Sequence, residues 1–551
     1  SFTKGLKHDF NSGLVEEAED FEQFVDAIDS GDPVDFTKTP LGPSRSTGGP
    51  GTLAWESDRG QGKIPARSTA VDASITSPEP VKVRAWESQS AGLAFDLEGP
   101  DSQAVTMPPA PALGSDLLTL EMAEVYTCAL LRDTSFEDLS NPKVALTELK
   151  NLKSLADKLD LSALSPIEVE KLESRLRLRG VLFGDDIGPY ISQFLLAGNK
   201  GINRNDDALS PAEGFVTYGG IRVDQRVRVA EKGIDFMQSW EEWYDVQNGA
   251  DFRRHEIYST EPEKYRFIET PRDLATYVHY DALYEAYLNA CLYMLAENFP
   301  FDPGIPFQKD DAMDHQQGFA LFGGPHILSL VTEVATRALK AVRYQKFNIH
   351  RRLRPEALAA RVHREPILKA LAPEITEMKE LLDGRNGSIL KAIDNKNPGT
   401  NNYLLPMAFP EGSPMHPAYG AGHATVAGAC VTILKAFFDH THALDVTGQG
   451  ADKCFVAGRN KKNNSDLKSV AVKDLKGNAS QLSVEGGLNK LAYNISIGRD
   501  WAGVHYYSDY LESVRMGEQI AIGILEEQML TYGEEFSMTI PLFDGGFKKI
   551  K

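Results

Sequence analysis

Beyond residue 113 the chain is patterned for helices. In Asp116–Arg132 apolar side chains recur at three- and four-residue spacing, the period of one buried helix face. The same spacing predicts helices near 165–179, 230–247, 273–298, 326–347 and 366–383, in the stretch that follows His423, and over 486–499 and 506–531. Strand-like alternation is scarce, and 214–218 with 221–229 are the best hairpin candidates. Before residue 113 the periodicity fades into Gly, Pro, Ser and Asp, apart from a short helix near Val15–Ile28. Trp55, Trp86 and Phe95 are out of place in a disordered tail, which normally lacks aromatics. The pattern therefore predicts an all-α protein of packed helical bundles with minor short β-hairpins. Residues 1–113 are expected to form an extended arm, laid on the body or on a neighbouring subunit, and 114–551 the helical catalytic domain.

Composition narrows the function. The 551 residues are 42% hydrophobic and 25% charged, as in an ordinary globular protein, and carry a net charge of −20. That charge argues against nucleic acid or an anionic membrane surface as partner. No uninterrupted apolar run approaches the roughly 20 residues of a membrane span, so membrane insertion is not expected. The first residues do not resemble a signal peptide, yet the chain lacks an initiator Met. The compartment stays open, with periplasm, cell wall or secretion allowed if a leader has been removed. Cys128, Cys291, Cys430 and Cys454 form no metal-type pair, which suggests free thiols. Asp310, Asp311 and Asp314 crowd one loop that could take a structural calcium, although the EF-hand spacing is absent and solvated loop acids explain it better.

Against an acidic background, cationic clusters are informative. One runs from Arg343 through Lys346 to Arg354-Pro355. A second is Ser413-Pro-Met-His416-Pro-Ala-Tyr-Gly-Ala421-Gly422-His423, a rigid loop leading into a small-residue apolar helix. The unpaired N–H groups and positive dipole of such a helix start suit an oxyanion. The third holds Arg499, His505 and Asp509, with Asp509 one helical turn past His505, where it can orient the imidazole. Each alone is explained by solvated charge or an ordinary helix start. Together they offer a lysine, two arginines, two histidines and a helix N-terminus. Such a set repels itself unless an anion sits inside it, and a tetrahedral oxyanion fits the forked donors of arginine.

Lys346-x7-Arg354-Pro355, Pro417-x4-Gly422-His423 and Arg499-x5-His505-x3-Asp509 resemble the signature of the vanadium-dependent haloperoxidases and the acid phosphatases of their superfamily. Likeness to the bromoperoxidase branch continues through Tyr403-Leu-Leu-Pro406, Glu411–Pro414 and Arg354–Leu358, over about the C-terminal 430 residues. The lysine-to-arginine separation is one residue longer than phosphatases and chloroperoxidases usually show, and His416 and Arg343 match residues typical of that branch. The resemblance implies vanadate as cofactor, with His505 as axial ligand to vanadium and Lys346, Arg354, Arg499 and the Gly422 N–H holding its oxygens. It makes His423 the acid–base group, lets Lys346 draw charge from bound peroxide, and places Arg343 and His416 on the halide path. Bromide and iodide would be oxidised by hydrogen peroxide to a hypohalous acid equivalent that halogenates small organic acceptors. It also suggests a homo-oligomer, a dimer or a dodecamer. The alternative is a phosphomonoesterase with His505 as nucleophile. One departure stands out: Ala421 occupies a position that is usually serine in the algal enzymes.

Overall fold

A computed structural model of the chain describes residues 2–32, 34–35, 84, 86–141, 144–200, 209–250, 252–260, 264–308, 315–384, 388–458, 467–475 and 480–551. Asp310, Asp311 and Asp314, and Trp55, lie outside the described residues.

Nine helices are used below: α1 (Ala18–Ser30), α2 (Asp116–Leu131), α3 (Pro271–Tyr280), α4 (Glu285–Ala296), α5 (Gly324–Tyr344), α6 (Pro355–His363), α7 (Gly422–Phe437), α8 (Val484–Trp501) and α9 (Tyr507–Met529). The centre of the body is α7. Its near-absence of charge follows from position, because every residue of it except His423 is buried. It packs against α5, α8 and α9, which is the bundle logic expected of an all-helical protein. The α7–α9 contact is backbone to backbone. A Cβ on Gly428 would lie 2.0 Å from the Val514 carbonyl oxygen, and one on Gly517 2.1 Å from that of Thr425. Only glycine permits that approach.

Several element boundaries differ from the periodicity. The 273–298 segment divides into α3 and α4 at Asp281, whose extended ψ of 145° closes α3. Helix begins in the 230–247 stretch only at Trp240, after Gly233 has taken φ +77°. The 165–179 segment is two short helices parted at Lys171. Among the described residues, the strands form only small two-stranded antiparallel pairs. Phe215–Tyr218 pairs with Ile221–Asp224 where a hairpin is predicted. Lys453–Ala457 with Leu467–Ala471, and Met538–Pro541 with Phe547–Ile550, have no counterpart in the sequence reading. Within Phe319–His363 an 18-residue window reaches a mean hydropathy of 1.2, enough for a membrane span by composition alone. Ile327, Leu330, Val331, Val334 and Ala335 of that stretch face the core, and 33% of the window is buried. All four cysteines are buried and unbridged.

Described parts of the first hundred residues lie on this body. Phe24 and Ile28 of α1 close a small core with Phe2, Leu6 and Phe347. Lys4, fully buried, pairs with Glu356 at 2.6 Å. Trp86 donates its indole N–H to the Lys4 carbonyl at 2.7 Å. Arg84 donates to the carbonyls of Glu411 and Ser413 at 3.3 and 3.0 Å.

Candidate active site

The site is built where the end of α5, the starts of α6 and α7 and the end of α8 meet. After Tyr344 the chain takes one wider, π-type turn, Gln345–His350, which ends with Arg351 at φ 46°. Such turns recur at functional sites because they redirect side chains. Here Lys346 is turned fully inward, and its Nζ donates to the carbonyls of Pro417 and Ala418 at 2.7 and 3.2 Å. Arg354 caps α6 in extended conformation, as a residue preceding proline prefers. Its Nε donates to the His416 carbonyl at 2.9 Å and Nη1 to the Val504 carbonyl at 2.8 Å. Arg499, from the last turn of α8, donates Nη1 to the Val278 carbonyl at 2.7 Å.

Arg354 fixes two histidine tautomers, because a guanidinium only donates. Arg354 Nη1 lies 2.9 Å from His505 Nε2, so Nε2 carries a lone pair and the proton sits on Nδ1. That Nδ1–H is 2.9 Å from Asp509 Oδ2. Asp509 also accepts from the Tyr506 N–H at 3.0 Å and from Arg352 Nη1 at 2.7 Å. Arg354 Nη2 likewise meets His416 Nδ1 at 2.8 Å, which leaves the His416 proton on Nε2. His423, in the first turn of α7, holds Asp281 through Nε2 at 3.0 Å.

Gly422 opens α7, and its N-cap Ala421 supplies no side-chain cap. The Ala421 N–H is satisfied by Ser513 Oγ at 2.8 Å. Arg343 Nη1 faces the same helix start, since a Cβ on Gly422 would lie 3.5 Å from it. Among the described residues, Arg343 Nη1 and Arg499 Nε are buried without a hydrogen-bond partner. Burial, reinforced by Arg354 and Arg343, holds the Lys346 ammonium well below its usual range. Burial also pulls Arg354 down to about 9, with Arg499 and Arg343 adding to the effect against Asp509. Arg499 falls to about 10 by burial. His505 and His416 sit far below the usual imidazole range, through burial and then the surrounding cations. Burial lowers His423 too, against the pull of Asp281. Orphaned donors, crowded buried cations and a lone-pair nitrogen fit a multiply charged oxyanion with a bond to its central atom.

The structure brings Lys346, Arg354, Arg499, Gly422, His423 and His505 to one place, with Arg343, His416, Ala421 and Asp509 around them. Sequence reasoning missed four contributors: Asp281, Arg352, Glu121 and Glu87. Asp281 sits where periodicity ran one helix through. Arg352 and Glu121 support Asp509, with Arg352 Nη2 2.6 Å from Glu121 Oε2. Glu87, from the N-terminal hundred residues, takes Arg343 in a two-point bond of 2.9 and 2.7 Å.

The bundle thus encloses buried cations around a histidine nitrogen with a free lone pair, and the known proteins the chain is similar to are vanadium-dependent enzymes. Residues 375–531 match the family model described as the VCPO second helical-bundle domain. Over 576 residues the chain is 46% identical to the vanadium-dependent bromoperoxidase of Corallina pilulifera, covering 99% of this chain and 90% of that one. The Corallina officinalis vanadium-dependent bromoperoxidase is 45% identical over the same shares. The homohexameric vanadate-dependent bromoperoxidase of Ascophyllum nodosum superposes with a TM-score of 0.76 at 23% identity, covering 100% of this chain and 84% of that chain. The chain belongs to the vanadium-dependent bromoperoxidase family.

Proposed function

We propose that the protein is a vanadate-dependent bromoperoxidase that oxidises bromide, and iodide more readily, with hydrogen peroxide to a hypohalous acid equivalent, which halogenates small organic acceptors. The observation that carries this reading is the lone-pair Nε2 of His505 set among Lys346, Arg354 and Arg499. His505 Nε2 would bond the vanadium, and Lys346, Arg354, Arg499 and the Gly422 N–H would hold the oxygens. When bound, vanadate supplies a Lewis-acidic vanadium(V) centre that activates peroxide without changing oxidation state. His423, anchored through Nε2, exchanges the proton of incoming peroxide at Nδ1. Lys346 would draw electron density from peroxide held at the site, and Arg343 and His416 would draw halide in. Asp509 keeps the proton on His505 Nδ1 and so keeps Nε2 free to ligate.

The deciding experiment compares bromination of a phenolic dye with and without added orthovanadate, beside p-nitrophenyl phosphate hydrolysis. Vanadate- and bromide-dependent peroxide consumption supports the reading. Phosphate-ester hydrolysis alone overturns it in favour of the phosphomonoesterase. The reading extends to an arm over 1–113 and a catalytic domain over 114–551, assembled as a homo-oligomer. Even-numbered assembly is the common ground of the expected dimer or dodecamer and the hexameric Ascophyllum neighbour, and sedimentation velocity measures it. For Asp310, Asp311 and Asp314, loss of thermal stability on calcium chelation supports a structural calcium and an unchanged melting point ends that idea.

A further inference from the structure

Glu87 lies between two candidate halide residues, although it comes from the segment read as an arm. It takes the Nε and Nη2 donors of Arg343 at 2.9 and 2.7 Å and leaves only Nη1 to face Gly422. Its Oε2 also lies 3.9 Å from Nε2 of His416, the nitrogen that carries the proton. The Glu87 side chain is 47% exposed, against 9% for Arg343 and 13% for His416, so the carboxylate stands on the solvent side of both.

The segment that presents it is fixed on either side. Upstream, Arg84 bonds to the carbonyls of Glu411 and Ser413 on the body, and Trp86 bonds to Lys4, which is itself buried against Glu356. Downstream, Gly92 lies so close to α5 that a Cβ there would come within 2.4 Å of the Tyr344 amide nitrogen. Asp96 pairs with Arg337 of α5 at 2.9 Å, and Ser102 Oγ ties back to the carbonyls of Gly92 and Ala94 at 2.6 and 2.9 Å. The carboxylate is therefore held in place rather than carried on a free tail.

We propose that Glu87 is a positioning residue that sets halide affinity, by aiming the Nη1 amino group of Arg343 into the site and placing a negative charge beside the halide path. The proposal rests on the bromoperoxidase reading of the same site. Halide is an anion and hydrogen peroxide is neutral, so a charge at this point acts on one substrate and not on the other.

The test uses vanadate-loaded wild type, Glu87→Gln and Glu87→Asp, with KM for bromide and for peroxide measured separately. Glu87→Gln is expected to lower the bromide KM by roughly three- to tenfold, the scale of one charge a few ångströms away near water. Its peroxide KM should stay within about twofold of wild type, and the bromide effect should shrink at high ionic strength as screening takes hold. Glu87→Asp, which keeps the charge, should stay near wild type. A bromide KM that is unchanged or raised, or a joint move of both KM values, overturns the proposal. Calorimetric titration of the apoproteins with inorganic phosphate supplies a readout independent of catalysis. Tighter binding by Glu87→Gln is expected, and equal or weaker binding counts against it. Should the wild type show no vanadate-dependent bromination, the functional reading fails while the phosphate titration still decides whether Glu87 restrains anions.

Discussion

Asp281 Oδ1 lies 3.0 Å from His423 Nε2, with the Asp281 side chain only 3% exposed. The contact ties the end of α3 to the start of α7 and occupies one of the two imidazole nitrogens. A proton-exchanging histidine works only when its ring is aimed, and losing a partner that orients a site residue costs roughly 10–100-fold in activity. Asp281→Ala is expected to lower kcat by about that factor, while the orthovanadate dissociation constant rises less. Asp281→Asn, which keeps a hydrogen bond without the charge, should fall between. Steady-state bromination alongside vanadate titration checks this, and an unchanged kcat in Asp281→Ala would remove His423 from its assigned role.

Ala421 is fully buried at the N-cap of α7 and offers no hydroxyl to the cradle. Ala421→Ser would add a donor beside Gly422, and a hydrogen bond to a charged acceptor is worth roughly 1.5–3 kcal/mol. The orthovanadate dissociation constant should therefore fall by about tenfold or more. A serine here can instead cap the helix and add about 1 kcal/mol of stability. Calorimetry of vanadate binding and a melting curve separate the two outcomes, and a melting point that rises with no change in vanadate affinity would show that the hydroxyl turns to the backbone.

The chemistry was more legible than the architecture around it. Lys346, Arg354, Gly422, His423, Arg499 and His505 sit at helix ends, where proline, glycine and charge mark the chain locally, so their segments are visible in sequence. The near-total burial of α7 shows as well, in a run almost without charge. What stayed hidden depends on contacts between distant residues. Glu87 meets Arg343 across a separation of 256 residues, and nothing near Glu87 distinguishes it from any other loop acid. Asp281 interrupts a periodic stretch without proline or glycine, so the α3–α4 break is decided by packing. The Phe547–Ile550 strand carries two lysines among four residues and is stabilised by pairing with Met538–Pro541, not by alternation.

Lys4 and Glu356 are both almost wholly buried, 2.6 Å apart, beside the Arg354-Pro355 turn. Removing one member of such a pair strands a buried charge at a cost of roughly 3–5 kcal/mol, whereas replacing both with apolar residues is often close to neutral. Lys4→Met should therefore lower the melting temperature sharply, and Lys4→Met with Glu356→Leu should recover much of the loss. Burial pushes the Glu356 carboxyl up, yet the Lys4 ammonium outweighs it and holds the group well below the usual carboxylate range. A carboxylate depressed in the folded state stabilises the fold above its unfolded pKa and loses that contribution as pH falls through the folded one. Wild-type stability should decline below about pH 4.5 more steeply than that of the double variant. Parallel acid melting curves for the two proteins would refute this.

Asp509 accepts the Nδ1–H of His505 at 2.9 Å and is itself held by Arg352 and the Tyr506 N–H. Burial raises the Asp509 carboxyl while Arg352 opposes the rise. The His505 tautomer thus depends on a carboxylate with which Arg352 pairs directly. Asp509→Ala removes the acceptor, frees the ring to rotate or change tautomer, and leaves Arg352 with Glu121 as its remaining carboxylate. Loss of such an orienting partner typically costs 10–100-fold in metal affinity, so the orthovanadate dissociation constant should rise by roughly that factor. Arg352→Lys, which keeps a charge near Asp509 but not the fork that also spans Glu121, should raise it by a smaller amount. Equilibrium dialysis against orthovanadate measures both. Unchanged affinity in Asp509→Ala, in a variant that still melts cooperatively, would mean that Arg354 alone fixes the His505 ring.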